Sequence, residues 1–310
     1  MKEFDLIAKL TRSLPTNGTV VVGAGDDCAV LEFGLPDKLL LFKTDAVVEG
    51  VHFTSEAEPE RIGHKALGRC LSDIAAMAGT PSAALVTLGL PPEFDPNFIA
   101  RIYEGLNALA KRFGVAIAGG ETTANPGGIF ISIALVGTVA RGRQVLRNGA
   151  KAGDAIFVTG ELGGSRLEKH LNFEPRIHEA QWLAEHFSIH AMADLSDGLA
   201  GDLRHILAAS GTGAELLKSA VPISRAAKLR ARTTPSAPRP FAAALADGED
   251  FELLLTVAGA DAVELLDAWK RKYPKLKLSC IGKITAAAGM RIQDASSVRQ
   301  LDAHGYDHFT

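Results

Sequence analysis

The sequence has little of what several classes of protein need. Only three cysteines occur in 310 residues, namely Cys28, Cys70 and Cys280, and they lack the paired spacing of a zinc site. Their small, odd number predicts reduced core thiols and a cytoplasmic location. No apolar run approaches the roughly 20 residues of a transmembrane helix, and Glu3 and Asp5 interrupt the N-terminal segment. We therefore expect neither a membrane span nor a signal peptide.

The chain also lacks an excess of one charge. Its formal net charge is −3, which gives no electrostatic reason to expect binding to nucleic acid or to an anionic membrane. No Ser-His-Asp or Cys-His pattern indicates a protein nucleophile. The glycine-rich stretch 160–165 lacks the lysine of a Walker phosphate loop, so we interpret it as packing between a strand and a following helix.

One stretch that the sequence does have, residues 43–53, organises the analysis. The apolar run 39–42 predicts a buried strand that ends in Thr44 and Asp45, followed by a turn at Glu49 and by His52. These oxygen ligands at a strand end are typical of a binding site. The alternative is structural, with Asp45 in an Asx-type turn and His52 as a half-buried, hydrogen-bonded histidine.

The same arrangement of an apolar element followed by a carboxylate recurs along the chain. It appears at 25–27 after a strand at 19–22, at Asp73 late in a helix over 59–77, at 119–121 after a buried strand at 115–118, and at 194–198 before a helix over 198–210. Local alternatives exist for each: a solvated turn at 25–27, an ion pair of Asp73 with Arg69, and a helix cap by Ser196 or Asp197. The repetition of this pattern favours a shared function for these carboxylates over separate local roles.

The remaining pattern predicts a mixed α/β protein of two domains, long enough for a core in each at 47% hydrophobic residues. The glycine-rich and basic segment 141–153 indicates the boundary, which gives domains over 1–142 and 143–310. Helices are expected over 4–10, 98–113, 175–187, 241–246 and 262–273, and strands over 83–90, 129–139, 155–158, 251–257 and 278–284.

Oxygen ligands alone select hard cations, and Mg²⁺ commonly bridges protein carboxylates to substrate phosphates. Phosphoryl transfer needs mainly alignment and charge neutralisation, which metal ions and backbone amides provide without a protein nucleophile. The spacing therefore predicts a Mg²⁺-dependent enzyme that uses a nucleotide. The acids that carry this prediction are Asp26, Asp27, Asp45, Asp73, Glu121, Asp194 and Asp197.

The motifs themselves resemble those of the thiamine-monophosphate kinases, a family of the aminoimidazole-ribonucleotide-synthetase-like superfamily. The resemblance runs through the whole chain in order, at residues 25–27, 44–53, 71–77, 119–123, 195–199, 248–253 and 305–309. It implies transfer of the γ-phosphoryl group of ATP to thiamine monophosphate, giving thiamine diphosphate and ADP. It also implies an N-terminal α/β domain that dimerises through its sheet, a C-terminal α/β domain, and a site between them.

The resemblance implies a role for individual residues as well. Mg²⁺ ligands would be Asp27, Thr44, Asp45, Asp73, Glu121, Asp194 and Asp197. ATP would contact Gly119, Gly120, Arg147 and Ser196. Thiamine monophosphate would contact His52, Glu249, Asp250 and Tyr306, whose ring suits a cationic thiazolium.

Three positions depart from the family pattern. Lys43 stands where the family usually has Ser, Glu121 where it usually has Asp, and Asp247 where it usually has Gly. On a strand, Lys43 shares a face with Asp45, so its ammonium group could replace one bound cation. This suggests the hypothesis that the chain binds one Mg²⁺ fewer than its relatives.

Two other readings remain open. One is another ATP-dependent enzyme of the superfamily, although the reactive cysteine expected of a selenophosphate synthetase or of the hydrogenase-maturation relative is missing from the expected ends of the chain. The other is a non-catalytic thiamine-phosphate-binding protein, in which Lys43 and Glu121 have spoiled the metal site.

Overall fold

A computed structural model describes residues 3–167, 169–303 and 305–306. The chain forms two compact units. The six-stranded unit comprises Gly18–Gln144 and His170–Glu179; the seven-stranded unit comprises Met1–Asn17, Val145–Lys169 and Ala180–Thr310. Helix α1 (Glu3–Thr11) opens the chain and belongs to the seven-stranded unit. The predicted boundary at 142/143 stays a prediction.

The six-stranded unit is one mixed sheet with two helices. Its elements are β1 (Val20–Val22), β2 (Ala29–Leu31), β3 (Lys38–Val48), α2 (Pro59–Ala76), β4 (Thr80–Leu90), α3 (Pro96–Arg112), β5 (Ala116–Ala124) and β6 (Phe130–Ala140). The strand order is β1-β2-β3-β6-β4-β5. Only β4 and β5 pair in parallel, as expected where α3 provides the crossover between them.

The two faces of this sheet differ. Strand β3 alternates, so that Leu39, Leu41 and Val47 are buried on the face that packs against α2, together with half-buried Lys43 and Asp45. On the opposite face, Phe42 and Leu85 are 44% and 49% exposed. The sheet therefore has one helix-covered face and one face with exposed apolar side chains.

The seven-stranded unit is a second mixed sheet. Its further elements are β7 (Ala155–Thr159), α4 (Ile177–His186), β8 (Ile189–Asp194), α5 (Leu199–Ser210), β9 (Gly213–Leu217), α6 (Arg225–Thr233), α7 (Pro240–Ala246), β10 (Leu253–Val257), α8 (Ala262–Lys272), β11 (Leu278–Thr285), β12 (Gly289–Gln293) and β13 (Val298–Gln300). The order is β13-β12-β9-β11-β7-β10-β8. All five residues of β7 and of β10 are buried, so the core of this unit lies around its central strands.

Each unit combines a mixed sheet with helices, which confirms the predicted α/β fold class. Three local predictions were wrong. Strand β3 does not end at Thr44 and Asp45, because β6 pairs with it from Lys38 to Val48. Strand β5 is neither short nor buried, because β4 pairs with it as far as Ala124 and it lies at an exposed edge. The stretch 160–165 leads into 3-10 turns at Ser165–Leu167 and Lys169–Leu171 rather than a packed α-helix.

No helix among the described residues is long and apolar enough to span a membrane. Strands β2, β8, β9, β12 and β13 and helix α6 were not predicted. Strands β2 and β13 have three residues each and β12 has five, so each is too short to show a period in the sequence. Within the predicted 305–309 motif, only Gly305 and Tyr306 belong to the described residues.

Candidate functional site

Two buried carboxylates lie close together in the six-stranded unit. Asp27 follows the glycine turn after β1 and is 1% exposed, and Asp73 lies in the last turns of α2 and is 6% exposed. An oxygen of each lies within 4.8 Å of the other. Like charges at this distance repel, and a cation between them removes the repulsion. This oxygen-only pair fits a hard divalent ion such as Mg²⁺.

One cation is already built into the strand next to them. The Nζ atom of Lys43 lies 2.9 Å from Oδ1 of Asp73 and 3.9 Å from Oδ2 of Asp45. Burial lowers the pKa of Lys43, but the charges of Asp73 and Asp45 raise it by more, so its pKa lies well above the ordinary value. Lys43 is therefore an ammonium ion at neutral pH. The sequence prediction that Lys43 and Asp45 share a face is confirmed.

Arg69 lies one turn of helix before Asp73 and reaches β3. It donates to the carbonyl of Ala46 at 3.0 Å and lies 3.7 Å from Asp45. Its predicted ion pair with Asp73 stays a prediction, whereas Lys43 on β3 lies beside Asp73. Asp45 thus lies between two cationic side chains within a strand and not in an Asx-type turn.

Cysteine is not a competing metal ligand in this group. Burial, with the charge of Asp73 second, raises the pKa of the Cys28 thiol well above its usual value. Burial likewise raises the pKa of Cys70. Because a thiol must lose its proton to bind a metal well, both side chains behave here as neutral core residues.

Two predicted Mg²⁺ ligands of this unit lie apart from the group. The hydroxyl of Thr44 projects to the opposite face of the sheet from Asp45 and lies 3.4 Å from that of Ser132. Glu121 is exposed on the edge strand β5, and its carboxylate accepts a hydrogen bond from its own neighbour, Thr122. The structure therefore brings together Asp27, Asp45 and Asp73, but not the side chains of Thr44 and Glu121.

The predicted glycine pair is required by the path of β5. Gly119 has a φ of 143°, and a Cβ on Gly120 would lie 1.7 Å from the carbonyl oxygen of Val86. Any other side chain at position 120 would push β5 away from β4. The glycines are therefore explained by strand pairing, and their predicted contact with ATP stays a prediction.

His52 lies in the turn that follows β3 and is half-buried, as one of the two alternatives expected. Its Nδ1 accepts a hydrogen bond from the N–H of Val48 at 3.1 Å. Its carbonyl accepts from Lys65 at 2.6 Å, and the Lys65 Nζ also lies 2.8 Å from Nδ1 of His170. Lys65 is fully buried, so it fixes the backbone of this turn. Since Nδ1 accepts, neutral His52 carries its proton on Nε2.

The seven-stranded unit has its own carboxylate group, at the end of β8. Asp194 is 3% exposed, and Asp197 follows it by three residues. The N–H of Asp197 donates to Asp202, in the first turn of α5, at 3.1 Å. Burial raises the pKa of Asp202 well above the ordinary value, and the charges of Asp197 and Asp194 raise it further. Because Gly198 is the N-cap and no side-chain cap bond is found there among the described residues, capping does not explain Ser196 or Asp197.

Backbone bonds connect this group to the other predicted residues of the unit. The carbonyl of Ser196 accepts from the N–H of Glu249 at 2.7 Å, and the carbonyl of Asp197 accepts from that of Tyr306 at 2.9 Å. Arg147 contributes a positive charge that opposes the raised pKa of Asp202. The structure therefore brings Ser196, Asp197, Glu249 and Tyr306 together.

The segment 247–252 is held in an unusual conformation. Glu249 and Phe251 have φ values of 56° and 49°, which cost roughly 1–3 kcal/mol each for residues other than glycine. Such conformations are concentrated at binding sites. Asp250 is 1% exposed and accepts from Gly163 N–H at 3.0 Å. Burial raises the pKa of Asp250 to about 7, although Lys169 and that hydrogen bond lower it.

This segment also explains the glycine-rich stretch 160–165. Gly163 donates to Asp250, and Gly164 donates to Asp247 at 2.7 Å. These amides bind carboxylates of the protein itself, so the stretch is not a phosphate loop. Asp247, one of the three departures from the family pattern, is also paired with Arg230.

One face of the Tyr306 ring already carries a cation. The guanidinium carbon of Arg166 lies 4.9 Å from the ring centroid, and Arg166 Nε lies 3.8 Å from the Glu249 carboxylate. A cation over a tyrosine face within about 6 Å is attracted by the ring. The predicted contact of Tyr306 with thiamine monophosphate stays a prediction.

Comparison with known proteins shows which family this chain resembles. The model of the AIR synthase related protein, N-terminal domain, matches residues 25–139, and that of the C-terminal domain matches residues 151–295. The thiamine-monophosphate kinase of Rhodopirellula baltica is 41% identical over 93% of this chain and 90% of its own. That of Bacillus subtilis is 33% identical over the full length of both chains.

The chain belongs to the thiamine-monophosphate kinase family. Among solved structures, AaThiL complexed with AMPPCP and TMP has a TM-score of 0.82, with 30% sequence identity, and the match covers 99% of this chain and 97% of that one. The fold is thus the AIR synthase related fold, as the sequence motifs predicted.

Three residues of this family member were missed by sequence analysis. Asp202 lies five residues after Asp197 in an apolar helix face, and Lys65 interrupts the apolar face of α2 between Ile62 and Ala66. Glu252, which is 2% exposed, binds Lys169 at 2.8 Å. A charged residue at a position where the helical period demands an apolar one is a signal that would have found the first two.

Proposed function

We propose that this protein is a thiamine-monophosphate kinase, which transfers the γ-phosphoryl group of ATP to the phosphate of thiamine monophosphate and releases thiamine diphosphate and ADP. Relatives that match 93% and 100% of this chain carry this name. The observation that carries the proposal in the structure is the group of Asp27, Asp73 and Asp45. Oxygens of Asp27 and Asp73 lie within 4.8 Å of each other, and the ammonium of Lys43 lies beside Asp73 and Asp45.

Mg²⁺ would be held by these carboxylates in the six-stranded unit and by Asp194 and Asp197 in the seven-stranded unit. Glu121, and Thr44 through its backbone, would be further ligands. Bound Mg²⁺ neutralises charge on the phosphates and on the transferred group. The donor atoms fit this ion because they are hard oxygens and because the neighbouring thiols stay protonated.

The remaining predicted residues bind and orient the substrates. Gly119, Gly120, Arg147 and Ser196 would contact ATP, and Arg147 provides the positive charge that a nucleotide phosphate requires. His52, Glu249, Asp250 and Tyr306 would contact thiamine monophosphate, with the acidic side chains and the Tyr306 ring suited to its cationic thiazolium. The protein needs no nucleophile, because the acceptor phosphate attacks directly.

A homodimer in the cytoplasm completes the proposal. The uncovered face of the six-stranded sheet presents Phe42 and Leu85, which lie on one face because Phe42 pairs with Val136 and Leu85 pairs with Ala134. An exposed apolar sheet face is a typical interaction surface, and a second copy of this chain is the occupant that the family resemblance implies. All three cysteines are free thiols, as expected of a reducing compartment.

The test is formation of thiamine diphosphate by the purified protein with Mg²⁺ and ATP, followed by chromatography. Thiamine monophosphate and unphosphorylated thiamine serve as parallel acceptors. We expect product from thiamine monophosphate only. Absence of turnover together with tight binding of thiamine monophosphate would instead favour the non-catalytic binder, for which the ammonium of Lys43 among the carboxylates is the one specific observation.

A further inference from the structure

Lys43 occupies the position from which a cation would bridge two carboxylates of the six-stranded unit. Its Nζ lies 2.9 Å from Asp73, in α2, and 3.9 Å from Asp45, on the same strand β3. A divalent ion that bridged these carboxylates would have to displace the ammonium group. The two cannot share the space, because both need the same oxygen atoms as neighbours.

The charges around this position support the same conclusion. Asp27, Asp45 and Asp73 bring three negative charges, and Lys43 and Arg69 return two positive ones. Among these five side chains a net charge of −1 remains, and a further cation fits where oxygens of Asp27 and Asp73 lie within 4.8 Å of each other. Without Lys43, two negative charges would remain, and the Asp45 and Asp73 carboxylates would need another cation between them.

We propose that Lys43 is a built-in counter-ion that replaces one divalent metal ion in the six-stranded unit, so that this unit binds ions only on its Asp27 and Asp73 side. The inference deepens the proposed kinase function and rests on it for the identity of the metal. Lys43 acts as a positioning residue, because it holds Asp45 and Asp73 in place without an external ion.

The test counts bound ions in the full-length protein without substrates, using Mn²⁺ as the probe and electron paramagnetic resonance to measure free Mn²⁺. Three variants are compared with the wild type. Lys43→Arg keeps the charge, Lys43→Gln removes the charge but keeps a hydrogen-bond donor, and Lys43→Met removes both. We expect Lys43→Gln and Lys43→Met to bind about one Mn²⁺ more per chain than the wild type and Lys43→Arg.

Thermal melting provides a second readout that does not depend on the count. In chelator, the neutral variants should melt below the wild type, because the two carboxylates then repel. Mg²⁺ should raise the melting temperature of the neutral variants more than that of the wild type or Lys43→Arg. Equal Mn²⁺ counts in all four proteins would overturn the proposal. Neutral variants that stay unfolded at any Mg²⁺ concentration would also overturn it, because Mg²⁺ should be able to take the place of the missing Lys43 ammonium.

Neither readout needs thiamine diphosphate to form. If the wild type makes no product while the neutral variants gain an ion, the role of Lys43 stands and the kinase assignment fails. If product forms and the counts are equal, the kinase assignment stands and the role of Lys43 fails.

Discussion

In the six-stranded unit, Asp45 and Asp73 face side-chain cations, Lys43 and Arg69, whereas in the seven-stranded unit Asp202 and Asp250 are held near backbone N–H groups. Burial raises the pKa of Asp250 to about 7 and that of Asp202 well above its ordinary value, although the charges of Lys169 and Arg147, respectively, oppose these shifts. Where burial outweighs the opposing cation, a carboxyl group takes up a proton more easily.

Asp73→Asn, which removes the carboxylate beside Lys43 in the six-stranded unit, should have the largest effect on stability and activity. The change leaves the buried ammonium of Lys43 with only the more distant Asp45, and losing one partner of such a pair costs about 3 kcal/mol of unfolding free energy. It also removes a predicted metal ligand, so kcat should fall at least about a hundredfold. Urea unfolding and the product assay measure the two effects.

The matched control is Glu121→Gln, on an exposed edge strand where no ion pair of Glu121 is found among the described residues. It should change the unfolding free energy by less than about 0.5 kcal/mol. A stability loss equal to that of Asp73→Asn would show that charge removal in general, and not the pair with Lys43, is responsible.

The buried Asp250 carboxyl of the seven-stranded unit should make the free energy of unfolding depend on pH. The folded-state pKa of Asp250 is about 7, above its ordinary 3.8, so the folded state prefers the protonated acid. This contribution is fully present below about pH 4 and is lost as the pH rises through 7, with an upper bound of about 4 kcal/mol. Asp250→Asn should remove it.

Urea unfolding of both proteins between pH 4 and 8 tests this. The difference between the two unfolding free energies should change steadily up to about pH 7 and then level off. A difference that is constant over this range would mean that Asp250 is already ionised in the folded protein at low pH.

Most of the acidic residues compared above were predictable from the sequence, but their contacts were not. The acids at 27, 45, 73, 194 and 197 were identified because each interrupts an apolar element at its end. The contact of Lys43 with Asp73 was not, because nothing local in the sequence places the β3 residue Lys43 beside the last turns of α2. The length of β3 depends on β6, almost ninety residues later in the chain, and such long-range pairing leaves no local signal.

His52→Ala should have a smaller and more selective effect. Removing the imidazole leaves the backbone of the turn held by Lys65, so the KM for thiamine monophosphate should rise about tenfold while kcat changes little. Steady-state kinetics with each substrate varied in turn would measure this. The KM for ATP serves as the internal control, and an equal rise in both values would count against a specific contact.

Leu85→Lys should have the smallest effect on chemistry and act on assembly. A charge on the exposed apolar sheet face should shift the protein from dimer to monomer in light scattering after size exclusion. Val298→Lys is the matched control, because Val298 is also 49% exposed but lies on β13 of the other unit. A dimer that survives Leu85→Lys would remove this face from the proposed interface.

The central claim is that the carboxylates of the six-stranded unit hold the Mg²⁺ that the kinase reaction needs. The most direct measurement is the Mg²⁺ dependence of thiamine diphosphate formation in the wild type and in Asp27→Asn, at fixed ATP and thiamine monophosphate. We predict no product in chelator, and a shift of at least about tenfold to higher Mg²⁺ for half-maximal rate in Asp27→Asn. Product formed in chelator, or identical Mg²⁺ curves for the two proteins, would contradict the claim.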